Sequence, residues 1–219
     1  MEMNEMWHNA ILETFQKGGP IMWPLLAASV VALSVVIDRG IFIIREQRLR
    51  NPASVEKILA CVEKGDADAA VRAGQGSSDF VARTIVYGLK HRQISFSNAL
   101  LRAAGRELKR FERGLPMLDT IITLAPLLGL LGTVTGMIRS FGLLGGSELD
   151  APSVITGGIA EALIATAFGL AIAIVSLLPF NYLNTRLEEA RHEIEDISNN
   201  VELLLIRAKD SNAHPVTVR

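Results

Sequence analysis

The stretch that decides the fold is residues 151–185, which read APSVITGGIAEALIATAFGLAIAIVSLLPFNYLNT and contain a single charged side chain, Glu161. Two further runs, residues 18–37 and 120–138, contain no charged residue. A helix that crosses the hydrocarbon core of a bilayer needs about 20 mainly apolar residues. A soluble domain would not use three such runs in 219 residues. The sequence therefore predicts an all-α polytopic membrane protein with three transmembrane helices.

The segments between the spans have helical signals of their own. In residues 1–17, apolar side chains recur at helical spacing and polar side chains take the other side, which predicts an amphipathic helix in the membrane interface. Residues 45–114 contain several short helical patterns, one of them capped by Asp66. After the third span, apolar residues recur every three or four positions, so this helix is predicted to continue into water. The second spanning helix is likewise predicted to extend out of the membrane on its polar side.

The predicted boundaries follow from these patterns and from helix breakers such as Gly18-Gly19-Pro20. They are an interfacial helix at 1–17, transmembrane helix 1 at 18–44, a helical loop domain at 45–114, transmembrane helix 2 at 115–141, a short loop at 142–152, transmembrane helix 3 at 153–183, and a helical extension with a tail at 184–219, the tail expected to be disordered from Asp210.

The distribution of Lys and Arg predicts the orientation. Residues 45–114 hold fourteen of them and residues 184–219 hold five, whereas the N-terminal segment has only Lys17 and the 142–152 loop has none. Because basic loops stay in the cytoplasm, the N-terminus is predicted to be periplasmic and the C-terminus cytoplasmic. Acidic residues interleave with the basic ones in 45–114 and no binding motif appears, so no nucleic-acid partner is expected.

Glu161 is the candidate functional residue. A charged side chain within a span costs at least a few kcal/mol on insertion scales, so such residues are usually functional. A carboxyl group that can be neutral or charged suits a proton relay. The alternative is a glutamate that bonds to a neighbouring helix for packing alone.

Small residues gather on one face of each of the last two spans. On the second helix these are Gly129, Gly132 and Gly136, with Thr133 beside them; on the third they are Gly158, Ala162, Ala165 and Gly169, with Thr166. Small faces allow close helix packing, and they also leave room for a central partner or water. For Thr133 alone, a hydrogen bond back to its own helix is the simpler interpretation. Two small faces with one carboxyl and two hydroxyls nevertheless predict a polar pathway through Glu161, Thr133 and Thr166.

No enzyme is predicted. The sequence has no phosphate-binding loop and no recognisable catalytic set, and Cys61, its lone cysteine, has no metal-site spacing. No cofactor or metal is expected, and the energy source is predicted to be an ion gradient.

Two segments resemble a known family. Residues 127–138, LLGLLGTVTGMI, resemble the second-helix motif of the ExbB/TolQ/MotA proton-channel family, and residues 158–167, GIAEALIATA, resemble its third-helix motif. Many members have a proline shortly before the second motif, where this chain has Gly157. The Gly-Pro-Ile-Met-Trp-Pro entry to the first span is most like ExbB, and three spans differ from the four of flagellar MotA.

The resemblance implies a role in the bacterial inner membrane. It implies a homopentamer around a dimer of a single-span partner similar to ExbD or TolR. Glu161, Thr133 and Thr166 would face an aspartate of that partner, and proton flow would energise an envelope-spanning protein such as TonB or TolA. Two other interpretations remain, namely a structural membrane anchor without ion flux and a solute transporter, against which the lack of an internal repeat counts.

Overall fold

The computed structural model describes residues 13–142 and 151–213, and every regular element in these ranges is a helix. The helices are α1 (Met22–Arg48), α2 (Pro52–Glu63), α3 (Ala67–Gly74), α4 (Phe80–Lys90), α5 (Arg92–Glu112), α6 (Leu115–Gly142) and α7 (Ala151–Ala213). Three stretches of the described chain are long and apolar enough to cross a membrane, and they lie within α1, within α5 and α6, and within α7. The all-α fold with three membrane-compatible helices is thus confirmed.

The start of α1 is set by its glycines. Gly19 has a φ of 71°, in the left-handed region that a residue with a Cβ rarely adopts. Its carbonyl oxygen accepts a hydrogen bond from the Met22 amide at 3.2 Å, which begins the helix. The helix therefore starts after the predicted boundary at Gly18, and it continues beyond the predicted end at Ile44 to Arg48, because no breaker occurs before Asn51-Pro52.

The other helix ends follow local capping. The Asp66 side chain accepts from the Ala69 amide at 2.7 Å, so the predicted cap of α3 is confirmed. Within α5 the backbone is extended at Ser95, which divides that helix into two parts. The helix α7 runs to Ala213, and the disorder expected of the tail from Asp210 stays a prediction. Most of the predicted N-terminal helix and most of the predicted 142–152 loop lie outside the described residues. The described end of the predicted N-terminal helix, residues 13–17, is helical.

The chain divides into two compact units. The unit that we call the span unit comprises Met1–Asp38 and Gly114–Tyr182, and the unit that we call the polar unit comprises Arg39–Arg113 and Leu183–Arg219. In the span unit, Met22, Leu25 and Ala125 form a buried cluster. In the polar unit, the apolar faces of α2 and α4 meet, with Ile58, Val62, Ile85 and Leu89 almost wholly buried.

The polar unit also buries charge. Glu46 is 4 % exposed, and its two carboxylate oxygens lie 3.3 Å from Arg83 Nη2 and 3.3 Å from Arg110 Nη2. Glu107 completes the group, because it binds both arginines. Burial acts to lower the pKa of Arg83, but the bonds to Glu107 and Glu46 outweigh it and hold that pKa above its usual value. These four residues join α1, α4 and α5.

A second buried carboxylate, Asp79, lies at the beginning of α4. Its Oδ1 accepts from the amides of Val81 at 2.9 Å and Ala82 at 3.3 Å, so it caps the helix. Its Oδ2 accepts from the Asn51 amide at 2.8 Å, and Arg50 donates to Oδ1 at 3.2 Å. One side chain thus satisfies the start of α4 and the connection between α1 and α2.

Candidate functional site

The helices α6 and α7 pack closely through the small residues of the span unit. A Cβ placed on Gly129 would lie 3.0 Å from Thr166 Cα, one on Gly136 would lie 3.2 Å from the Ala162 Cβ, and one on Gly169 would lie 2.5 Å from the Ala125 carbonyl oxygen. Backbones that approach this closely leave no space for larger side chains. The predicted small residues meet as follows: Gly129, Gly132 and Gly136 of α6 against Gly158, Ala162, Ala165 and Gly169 of α7. In the single chain they form a helix–helix contact, and a pore-facing role for them stays a prediction.

Glu161 lies at the edge of this contact and is paired with Arg139. Arg139, close to the end of α6, donates from Nη1 to Glu161 Oε1 at 3.0 Å. The Glu161 side chain is 23 % exposed and that of Arg139 is 51 % exposed. Because Oε2 has no hydrogen bond among the described residues, one oxygen is held and the other is available. The carboxylate is therefore oriented by a cation without being fully enclosed.

The turn before α1 covers the same carboxylate. A Cβ on Gly19 would overlap the Glu161 carboxyl group, and a Cβ on Gly18 would lie 3.1 Å from Ile164, one helical turn further along α7. Glycine is required most clearly at Gly19, where the positive φ and the close approach to Glu161 coincide. Glu161 is thus bounded by three segments: its own helix, the end of α6 and the Gly18-Gly19 turn.

The two predicted threonines do not contact Glu161. The Thr133 hydroxyl donates to the Leu130 carbonyl of its own helix at 2.6 Å, which is the simpler interpretation considered above. The Thr166 hydroxyl donates across to the Gly129 carbonyl at 2.9 Å and so links α7 to α6. Both are half-buried at the α6–α7 contact. Their part in a polar pathway stays a prediction, because each hydroxyl is bound to a backbone carbonyl here.

Sequence reasoning missed Arg139 and Gly19 as neighbours of Glu161. The sequence did contain a signal for Arg139. When α6 and α7 are paired as antiparallel helices through their small residues, Gly136 lies opposite Ala162. A long side chain three residues after Gly136 can then reach Glu161. For Gly19, the paired glycines predicted a turn, but nothing local in sequence indicated what the turn would cover.

The described residues contain no group of His, Cys, Asp or Glu able to hold a metal ion. What the site offers is a carboxylate with one bound and one free oxygen, a cation beside it, and hydroxyls within the same helix pair. Such a site can exchange a proton, since the carboxylate can accept one on its free oxygen. The span unit also contains the pair Lys17–Glu13 at 2.7 Å, in which Lys17 lowers the pKa of Glu13.

Fold and site together define a multi-pass helical membrane protein with an ionisable residue kept within a spanning helix. Comparison with known proteins gives the family. The family model described as the MotA/TolQ/ExbB proton channel family matches residues 75–196, and the chain belongs to that family. The members named in the comparisons are transport-associated proteins.

Relatives cover most of this chain. The putative biopolymer transport protein ExbB-like 1 of Synechocystis sp. is 37 % identical over 201 residues, which are 89 % of this chain and 78 % of that protein. The biopolymer transport protein ExbB of Neisseria meningitidis is 26 % identical over 215 residues, 90 % of this chain and 97 % of that protein. The Tol-Pal system protein TolQ of Haemophilus influenzae is 34 % identical over 109 residues, 50 % of this chain and 48 % of that protein. The predicted resemblance to the ExbB/TolQ/MotA family is confirmed.

Proposed function

We propose that the chain is the proton-channel stator subunit of an inner-membrane motor, which uses the proton gradient to energise an envelope-spanning protein. The observation that carries the proposal is Glu161: a carboxylate kept in an apolar helix, with one oxygen bound to Arg139 and the other free. A charged residue within a spanning helix is costly, so its presence there favours a functional role. Membership of a proton-channel family and relatives named for biopolymer transport or the Tol-Pal system support the same role.

In this proposal Glu161 is the proton acceptor, and the hydroxyls of Thr133 and Thr166 belong to the same pathway. The threonines would leave their carbonyl partners when the pathway opens, because a hydroxyl can exchange one acceptor for another at little cost. Arg139 balances the charge of Glu161 between proton transfers. The lipid bilayer holds the three spans, with the N-terminus in the periplasm and the basic loop in the cytoplasm, as the Lys and Arg distribution favours.

The assembly proposed is a homopentamer around a single-span partner of the ExbD or TolR kind, which acts on a TonB-like or TolA-like protein. Support comes from the surface of the span unit, where large apolar side chains remain exposed on α6 and α7. Examples are Leu127, Val134, Leu163 and Leu170. Lipid, further copies of this chain and the partner are the surroundings that such a surface fits.

The test is the proton flux of Glu161 variants. A tagged chain is purified with the proteins that accompany it, reconstituted into vesicles and assayed with a pH-sensitive dye under an imposed proton gradient. Glu161→Gln and Glu161→Ala are expected to reduce the flux at least tenfold, about 1.4 kcal/mol or more in barrier height, while assembly is retained. Glu56→Gln, an exposed glutamate of α2, is the matched control and is expected to behave like the original chain.

A sodium gradient in place of the proton gradient is expected to give no flux. Full activity of both Glu161 variants would contradict the proton pathway and favour the second candidate function, a structural anchor. The observation that favours the anchor is the tight α6–α7 contact, which needs no ion flux to explain it.

A further inference from the structure

One face of α5 carries only positive charge. Its cations follow one another at intervals of four, three and four residues, which places them within a single narrow stripe along the helix. They are Arg102, Arg106 and Lys109 within α5 and Arg113 at its C-cap, and we call them the basic stripe. All four are exposed, and none has an ion-pair partner among the described residues. Arg106 has a different contact, with its guanidinium 5.6 Å from the centre of the Tyr87 ring.

The basic stripe is distinct from the buried charge group of the polar unit. Glu107 and Arg110, which belong to that group, leave α5 on another side, and Glu107 binds Arg83 and Arg110. The folding of the polar unit therefore already uses one set of α5 charges. The basic stripe takes no part in that charge group. Its four like charges repel one another unless a negatively charged surface binds them.

The polar part of α7 carries the opposite pattern. Glu188, Glu195 and Glu202 recur every seven residues and lie on one face, which we call the acidic stripe. Leu187, Ile194 and Val201, which directly precede these glutamates and lie about 100° further round the helix, are buried.

The acidic stripe has only weak partners, all on its own helix. Arg191 is 3.6 Å from Glu188, and His192 is 4.0 Å from Glu195. Glu202 has no partner in the described part of the chain. Exposed pairs of this kind contribute little, so the acidic stripe remains available to a stronger cationic surface.

The two stripes match in length and in direction. At 1.5 Å per residue the basic stripe is about 17 Å long and the acidic stripe about 21 Å long. In chain order α5 is followed directly by the spanning helix α6, whereas the acidic stripe follows the spanning part of α7. Copies of one chain have the same orientation in a membrane, so α5 of one copy and α7 of another run antiparallel. That arrangement brings Arg113 opposite Glu188 and Arg102 opposite Glu202.

We infer that the basic stripe of α5 binds the acidic stripe of α7 in a neighbouring copy of this chain. The inference rests on the proposed homo-oligomer and adds the surface that sets its register. Because one face meets a different face, the contact is head-to-tail, and its repetition forms a ring where the rotation between copies closes. Complementary charge favours this occupant over uncharged partners, and its main effect is to select register and orientation.

The direct test is disulfide crosslinking in membranes of cells that express the full chain. In a Cys61→Ser background, one copy carries Arg106→Cys with one tag, and a second copy carries Glu195→Cys with another tag. We expect an oxidised product of two chains that contains both tags. The matched control replaces Glu195→Cys by Glu56→Cys, an equally exposed glutamate on α2, and is expected to give at least fivefold less of that product. Equal yields from the two pairs would overturn the inference.

Charge reversal tests whether the contact is electrostatic. Arg106→Glu with Lys109→Glu, and separately Glu195→Lys with Glu202→Lys, are each expected to lower the oligomeric fraction severalfold in native mass spectrometry at low salt. Combining the four changes is expected to restore it. If the reversed basic stripe remains defective whatever charge the acidic stripe carries, its partner is something else, such as an anionic lipid surface, and the inference is wrong.

These results are separable from the proton-channel proposal. An oligomer without the Arg106–Glu195 crosslink contradicts only the stripe contact. Crosslinked oligomers in which Glu161→Gln keeps full proton flux contradict only the channel.

Discussion

Two glutamates, one in each unit, differ in their exposure and in the number of arginines that bind them. Glu46 of the polar unit has a side chain 5 % exposed, and each of its oxygens lies beside an arginine, Arg83 or Arg110, at 3.3 Å. Glu161 of the span unit has a side chain 23 % exposed, a single arginine, and one oxygen without a hydrogen bond. The first carboxylate is fully satisfied by the fold, and the second is only oriented by it.

The difference separates a carboxylate held on both oxygens from the one that we propose to exchange protons. A buried carboxylate with both oxygens bound is held in place by its partners, because removing it leaves partly buried cations unpaired. A carboxylate with a free oxygen can take up a proton without breaking its remaining contact. The two units also differ in how they are held together: the polar unit combines an apolar core with ion pairs, whereas α6 and α7 rely on small residues and close backbone approach.

The largest expected effect on stability is at Glu46. Glu46→Ala is expected to lower the opening free energy of α4 by about 2–3 kcal/mol, less than the 3–5 typical of a broken buried pair, because Arg83 and Arg110 keep Glu107. Hydrogen exchange of the α4 amides in nanodiscs measures it. Glu161→Ala is expected to leave α4 exchange unchanged, and Glu56→Ala is the exposed control. If Glu46→Ala and Glu161→Ala open α4 equally, the contrast between the two carboxylates fails.

A smaller effect is expected at the closest contact between α6 and α7. Gly169→Ala places a methyl group 2.5 Å from the Ala125 carbonyl oxygen and is expected to cost about 1–2 kcal/mol through overpacking. Gly40→Ala is the matched control, since a Cβ there meets nothing within 4 Å. A thermal denaturation series in detergent compares the two variants. Equal melting temperatures would mean that close backbone approach does not stabilise the span unit.

The polar unit, in contrast, is expected to depend on local capping. Asp66→Ala removes the acceptor of the Ala69 amide and is expected to cost about 1 kcal/mol, seen as faster amide exchange in α3. Asp68→Ala, at the second residue of the same helix, is the control, because the Asp68 side chain in its ion pair with Arg92 is highly exposed. Faster exchange in the Asp68 variant than in the Asp66 variant would contradict the capping role.

The smallest effect is expected at Thr133. Its hydroxyl is bound to Leu130 of its own helix, so Thr133→Ala is expected to lower proton flux only about twofold, near 0.4 kcal/mol, with Thr133→Ser close to the original chain. Vesicle flux measures both variants. Identical flux in the alanine and serine variants would remove the hydroxyl from the pathway.

The elements that the sequence predicted well are those with a local or periodic cause. Three apolar runs predicted three spans, Asp66 followed by an alanine-rich segment predicted α3, and the recurrence of Leu187, Ile194 and Val201 predicted that α7 continues beyond the membrane. The residues that pack α6 against α7 were also foreseeable, because small residues at helical spacing define a face whatever lies opposite.

What could not be predicted are contacts between residues far apart in the chain. The partners of Glu46 lie 37 and 64 residues away, and nothing local to this glutamate indicates which arginines will enclose it. To predict the Glu161–Arg139 pair, one must know the register of α6 against α7. To predict that the Gly19 turn covers Glu161, one must also know where a third segment lies. Only tertiary packing supplies that information.

The buried Asp79 has a consequence for the order in which the polar unit forms. Its carboxylate closes contacts 28 and 29 residues back along the chain, at Asn51 and Arg50. During synthesis the cap on Val81 and Ala82 can form locally, whereas Asp79 Oδ2 gains its acceptor role only when the earlier connection lies beside it. We expect α1, α2 and α4 to mature as one all-or-none block, so that a truncation within any of them yields a nascent chain that quality-control proteases recognise.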